Sequence, residues 1–258
     1  MTPDTFEQTK KALIALGGQR VWSLMVTLFG DLAQSERSTI DGPILSAIMA
    51  EVEVKPEAVR VALHRLRNDG WITSQKYGRT RRHALTPSSR AESRQASARI
   101  YASPTRTDTQ WQLAIMEDTA SATRENMIER GFAQLAPRIY LGHPAAKAPK
   151  NALTLNGGPV PQWLRQQIAP QMLIAEYNAL IPLLRNVEKQ IPAGSLDNLQ
   201  TAVLRCLIVH NWRRILLRHP ALPRVLLPDD WPGYTCHVLV DRLLARFPRP
   251  SLITIPPA

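Results

Sequence analysis

The sequence predicts a multidomain chain of the α+β class. Three patterns carry that expectation: three short helices and a basic hairpin in the first third, a strand–helix–strand run in the middle, and long amphipathic helices thereafter. Of the 258 residues 44% are hydrophobic, enough for two or three small cores and too many for a disordered chain.

In chain order, Val21 to Phe29 reads as a first helix and Pro43 to Ala50 as a second. A third is bracketed by Pro56, which suits a first helical turn, and by the stop signal Asp69-Gly70. Within it Val59, Ala62, Leu63 and Leu66 form one apolar stripe. The opposite face carries Glu57, Val61, His64, Arg65 and Asn68, flanked by Arg60 and Arg67. After Gly70, WITSQK and RRHALT are strand-like and YGRT between them is a glycine-containing turn. Three helices and such a hairpin read as a winged helix-turn-helix, the domain expected over residues 1–88.

Residues 89–108 are Ser- and Arg-rich and read as a linker that allows partial helix. A central α+β module is expected over 109–160, from the strand WQLAIM, a helix Ser121–Leu135, the strand PRIYLG and a short strand in NALTLNG. A helical domain is expected over 161–258. There Pro182 is expected to kink or break the first long helix and Ser195 to cap the second. Val203, Leu204, Leu207, Ile208 and Ile215 give that second helix its buried face, with His210, Trp212, Arg213, Arg214 and Arg218 set against it.

Charge narrows the function. Lys plus Arg number 32 against 21 acidic residues, a formal charge of +11. Between Lys55 and Arg90 nine basic residues face two acidic ones, whereas residues 1–54 hold four basic and seven acidic. Basicity is therefore concentrated on the predicted third helix and hairpin, and double-stranded DNA heads the expected partners. A helix fits the major groove, so Arg65 and His64 are the first base-reading candidates, within a face of Glu57, Arg60, Val61, His64, Arg65 and Asn68. Arg79, Arg81 and Arg82 on the hairpin are candidates for phosphates or the minor groove. A solvated charged face and a protein-binding winged helix are the competing explanations.

HExxH, GxSxG, GxxxxGK[ST] and GxGxxG are all absent from the sequence, so the corresponding enzyme classes lack their motif. No catalytic residue, cofactor or metal site is assigned. The two cysteines, Cys206 and Cys236, form no CxxC pair, and a reducing cytoplasm is the expected compartment. No apolar stretch reaches the length of a membrane span, so a soluble, unexported protein without a membrane partner is expected.

Five strings resemble the phenylacetate-degradation repressor family, the PaaX-like regulators. They are RVWSLMVTLFGD at 20–31, EAVRVALHRLRNDGW at 57–71, GFAQLAPRIYL at 131–141, VLRCLIVHNWRRILLRHPALP at 203–223 and LLPDDWPG at 226–233. The pairing of HNWRR with LLPDDWPG is the specific part of the likeness. The resemblance implies a ferredoxin-like central domain similar to that of the small CRISPR adaptation nuclease, and an all-helical C-terminal domain. It also implies a homodimeric repressor of an aromatic or related catabolic operon, released from an inverted-repeat operator by an acyl-CoA thioester.

On that footing His210, Trp212, Arg213, Arg214, Arg218 and Trp231 are candidate effector-binding residues, the arginines holding coenzyme A phosphates and a tryptophan packing the acyl group. The competing assignment pairs those arginines with Asp229, Asp230 or acids of the central domain, fixing the domain arrangement. Two further functions compete: a non-specific nucleoid protein, and a metal-dependent nuclease using Glu117 and Asp118 at the end of WQLAIM. Adjacent carboxylates on a strand point apart and no second acidic cluster or His lies near them, so a polar turn explains that pair.

Overall fold

The structure, a computed structural model, describes residues 3–18, 20–104, 109–169 and 171–256. The chain forms two compact units, one from residues 1–102, 179–214 and 236–258, the other from 103–178 and 215–235.

The first unit begins with helix α1 (Pro3–Gly17) and helix α2 (Val21–Leu32). A two-residue strand β1 (Ile40–Asp41) leads into α3 (Gly42–Glu51) and α4 (Pro56–Asn68). Strands β2 (Ile72–Tyr77) and β3 (Thr80–Leu85) form the expected antiparallel hairpin, turned at Gly78 with φ +58°. β1 joins as a third strand in the order β1-β3-β2. The first three expected helices stand where the sequence places them, and α1 precedes them.

The segment expected as a partly helical linker is helical over most of its length. Its first part is helix α5 (Pro87–Ile100), started by Thr86, whose side chain accepts from the Ser89 N–H at 3.3 Å, with Pro87 in the first turn. Its end, 105–108, lies outside the described residues. α5 buries Ser89, Arg90, Ser93 and Ile100. Small side chains let it approach α2 closely: a Cβ on Gly30 would stand 3.0 Å from Ser93 Oγ.

The second unit holds β4 (Gln112–Ile115), α6 (Ser121–Glu129), β5 (Ala133–Ala136), β6 (Ile139–Gly142), β7 (Leu153–Asn156) and α7 (Gln162–Ile168). The helix expected to reach Leu135 stops at Glu129, because Gly131 takes φ +88° and the next residues pair with β6 as a strand. Its sheet is antiparallel, ordered β5-β6-β4-β7. Trp111 and Leu141 pack one cluster with Val160, Leu164 and Leu226, while Ala114, Met116, Met127, Phe132 and Tyr140 pack another.

Helices α8 (Gln171–Gln190), α9 (Asn198–Leu216) and α10 (Pro232–Arg246) complete the chain. α8 runs through Pro182 as one helix, so the proline does not break it. α9 starts at a capping box two residues after the expected Ser195: Asp197 Oδ1 accepts from the Gln200 N–H at 2.7 Å, and Gln200 Oε1 accepts from the Asp197 N–H at 3.2 Å.

Within the first unit α9 is buried on every side, including Arg205, His210, Asn211 and Trp212. Asn211 Nδ2 donates to Leu13 O at 3.0 Å, tying α9 to α1. Arg205 faces Asp31 at the end of α2 side-on, Nη2 to Oδ1 at 2.8 Å and Nε to Oδ2 at 2.9 Å. Tyr101 Oη donates to the same carboxylate at 2.8 Å, and Arg249 Nε donates to Asp31 O at 2.6 Å. Arg205 Nη1 also donates to the Leu244 carbonyl at 3.1 Å and to that of Phe247.

Asp31→Ala would leave the 3%-exposed Arg205 guanidinium without its carboxylate. The expected loss is about 3–5 kcal/mol of unfolding free energy in urea. Glu57→Ala, which breaks an exposed pair with Arg60, should cost less than about 1 kcal/mol.

Candidate nucleic-acid interface

α4 is held by both ends and one side. Pro56 occupies its first turn; at its far end Gly70 takes φ +72° and the Trp71 N–H donates back to Leu66 O at 2.8 Å. Val59, Ala62 and Leu66 are buried, with Leu63 half-buried. The opposite face presents Glu57, Arg60, Val61, His64, Arg65 and Asn68, all exposed. Val61, at 68% exposure, is an apolar, branched side chain in the middle of this polar surface.

The pairings on that face are loose. Arg60 lies 4.0 Å from Glu57, Arg65 lies 3.6 Å from Asp69, and Asn68 Nδ2 is 3.3 Å from His64 Nδ1. Exposed pairs of this kind hold by a few tenths of a kcal/mol, roughly, so a stronger acceptor can displace them.

On the hairpin, Arg79 and Arg81 are exposed, and the register sets Lys76 directly opposite Arg81. Like charges across a strand pair are destabilising unless an anion covers them. Arg82 differs from its neighbours: its Nε lies 3.1 Å from Asp41 Oδ1 and its guanidinium stacks 3.4 Å from the Tyr77 ring centroid. It fastens β1 to the hairpin. His83 is buried beneath, with Nδ1 2.8 Å from Ser74 Oγ, and burial together with Arg81 and Arg67 lowers its pKa.

The effector-site candidates named from the sequence are divided between the two units. Trp212 is buried, its Nε1 donating to Ile100 O at 3.1 Å, and its ring lies 5.3 Å from that of His237. Arg213 donates to Thr27 Oγ1 at 2.9 Å and Ser23 O at 3.2 Å. Arg214 donates to Leu16 O at 3.3 Å. These groups hold α9 to α1, α2 and α5. Arg218 and Trp231 belong to the other unit, where Arg218 pairs with Glu176 and Trp231 meets Tyr177 edge-on at 5.6 Å. Asp229 pairs with Arg165 at 2.9 Å. Asp118 Oδ1 accepts from the Ala120 N–H at 2.9 Å beside the start of α6, and no metal-holding group of three or more His, Cys, Asp or Glu occurs among the described residues.

His210 and Arg214 are brought together, but at a place the sequence did not indicate. They line a cavity of about 640 Å3 with the first turn of α2 and with Ala58, Val61, Ala62 and Arg65 of α4. Burial, reinforced by Arg213 and Arg214, pushes the His210 pKa down to about 4. Its Nδ1 is 3.4 Å from Thr27 Oγ1, and the Gly17 backbone also hydrogen-bonds the ring.

These features define a mixed α+β chain whose first unit carries a cationic helix-and-hairpin face. The chain belongs to the PaaX-like family: the family's "PaaX-like protein" profile matches residues 20–88 and its "PaaX-like protein C-terminal domain" profile matches 170–252, together more than half the chain. It is 25% identical over 274 aligned residues to the transcriptional repressor PaaX of Escherichia coli (strain K12), covering 94% of this chain and 84% of the relative. A solved structure, the uncharacterized protein Rv0674 from Mycobacterium tuberculosis, shares its fold with a TM-score of 0.54 at 21% identity, over 86% of this chain and 93% of that one.

The depressed His210 pKa sets a pH dependence. Folded His210 stays neutral down to about pH 4, whereas the unfolded imidazole protonates near 6.5. Its contribution is complete above that higher value and shrinks as pH falls towards the lower one. Urea unfolding should therefore give about 2 kcal/mol less stability at about pH 5 than at about pH 7.5 on account of this group. His210→Gln should reduce that difference.

Proposed function

We propose that this protein is a DNA-binding transcriptional regulator, a homodimeric repressor of an aromatic or related catabolic operon such as phenylacetate degradation, acting in the cytoplasm. The observation that carries the reading is the exposed face of α4, polar and cationic, beside a hairpin that keeps Lys76 and Arg81 opposed. On this reading α2 to α4 with β2 and β3 are a winged helix-turn-helix. α4 enters the major groove, where Arg65 is placed to donate to guanine and Val61 to meet a thymine methyl. Arg79 and Arg81 then lie over phosphates.

The second unit suits a ferredoxin-like module, since its order β5-β6-β4-β7 with α6 between β4 and β5 is that of a split βαβ fold. A loop replaces the second helix of that fold between β6 and β7. β7 is an edge strand whose Leu153 and Leu155 are exposed, a surface suited to a second copy of the chain. The named relative is a transcriptional repressor, which supports regulation over catalysis. Release by an acyl-CoA thioester follows from the family resemblance alone. No single helix among the described residues is long and apolar enough to cross a membrane.

Footprinting on the DNA upstream of its operon should reveal protection of an inverted repeat; uniform protection of any duplex would favour a nucleoid role. Arg65→Ala should cost about 1–3 kcal/mol on the preferred site and relax specificity there. Arg81→Ala should weaken all sequences alike and reduce the salt slope by about one. Arg82→Ala should instead lower the stability of the unit in urea, because Arg82 joins Asp41 to Tyr77.

A further inference from the structure

One face of the β2–β3 hairpin runs from the core to a cationic end through three cross-strand pairs: Ile72 with Leu85, Ser74 with His83, and Lys76 with Arg81. Side chains two apart on a strand share a face, so these six lie on one side of the sheet. Ile72 and Leu85 are buried and Lys76 and Arg81 are exposed, with His83 between them at 5% exposure. His83 is thus the ionisable group at which the core of the hairpin meets its charged surface.

Few groups face this imidazole. From β2, Ser74 Oγ stands 2.8 Å from Nδ1. From α3, Gly42 offers no side chain, and a Cβ there would stand 3.6 Å from Nε2. The charges are Arg81 on the same strand, Arg67 of α4 and Asp41 of β1. Two of them oppose a proton and one favours it, and the favourable carboxylate is already engaged by Arg82 at 3.1 Å. Burial first, then Arg81 and Arg67, hold the ring below the ordinary histidine range, so it is neutral in the free protein at physiological pH.

A phosphate alters that balance. Seated on the opposed Lys76 and Arg81, it brings negative charge to the face that carries His83 and offsets the repulsion that keeps a proton away. We propose that duplex DNA seated on Lys76 and Arg81 draws a proton onto His83, so that DNA binding is coupled to proton uptake by a buried imidazole. The coupling rests on the reading of the hairpin as DNA-facing. It is reciprocal: if duplex raises the affinity of His83 for a proton, the proton raises the affinity for duplex by the same factor. Affinity is then level above the titration midpoint of the bound form and rises as pH falls from there towards the midpoint of the free form. The strength of the phosphate seat is set from beneath, by a side chain that need not touch the nucleic acid.

The test uses the full chain and two measurements. One is affinity for a duplex of mixed sequence, since phosphates are common to every sequence. The other is the titration of His83 followed by NMR with ring-labelled histidine, with and without duplex. His64 is exposed on α4 and would titrate against DNA on its own account, so both are made in His64→Gln. That protein should bind duplex about 3- to 10-fold tighter at about pH 5.5 than at about pH 7.5, and duplex should move the His83 midpoint upward. His83→Asn, which keeps a hydrogen-bonding partner for Ser74 and cannot be protonated, should leave affinity at the higher pH unchanged and remove the tightening. Arg81→Gln should raise the midpoint in the free protein and shrink the movement that duplex causes.

A tightening that survives undiminished in His83→Asn, or a His83 midpoint that duplex leaves in place, would overturn the coupling while duplex binding stands. Should His83→Asn fail to fold, the midpoint in the His64→Gln protein decides alone. Absence of duplex binding at both pH values would overturn the DNA reading and the coupling with it.

Discussion

Asp31 is a carboxylate with no exposure, and the first unit is arranged to answer its charge. Removing an ion from water costs several kcal/mol, and a single partner rarely recovers that cost. Here a bidentate guanidinium from α9, a phenol from the end of α5 and a second arginine from the C-terminal segment converge on one residue of α2. Every element that supplies a partner is thereby fixed relative to α2. α2 in turn packs against α4, the helix that carries the cationic face. The same surroundings push the Tyr101 pKa upward, burial first and Asp31 second, which keeps that phenol a hydrogen-bond donor.

This arrangement changes the picture of how the cationic face is carried. The sequence suggests a winged helix on a polar tether, with a helical domain further along. In the structure the tether is a packed helix, and α9 is part of the unit that holds α4. Arg213, Arg214 and Trp212, whose spacing suggests a phosphate-binding surface, are occupied by carbonyls and a hydroxyl of α1, α2 and α5.

What was legible in the sequence was local. α4 and the hairpin are bounded by Pro56, Gly70 and Gly78, and their apolar periodicity is strong enough to assign faces residue by residue. α5 was hidden because its buried side chains include Ser89, Arg90 and Ser93, which look like solvent-facing residues. Their burial follows from the close approach at Gly30, which no pattern within α5 reports. The extent of α9 burial was hidden for the same reason: arginine, histidine and asparagine normally mark a wet face, and here each has partners from distant segments. Arg82 looked equivalent to Arg81, since the alternation of a strand does not disclose that β1 lies beside one of them. The cavity joins α2 and α4 to α9, which lies more than a hundred residues further along the chain, and nothing short of their assembly could locate it.

The discontinuity of the first unit has a consequence for its birth. Asp31 leaves the ribosome 174 residues before Arg205 and 218 before Arg249. At a synthesis rate of about 5–20 residues per second, the nascent N-terminal segment waits roughly 10–35 s for the guanidinium that permits its carboxylate to be buried. Until then α2 keeps that charge in water, and the burial of Asp31 is completed only by segments made long after it.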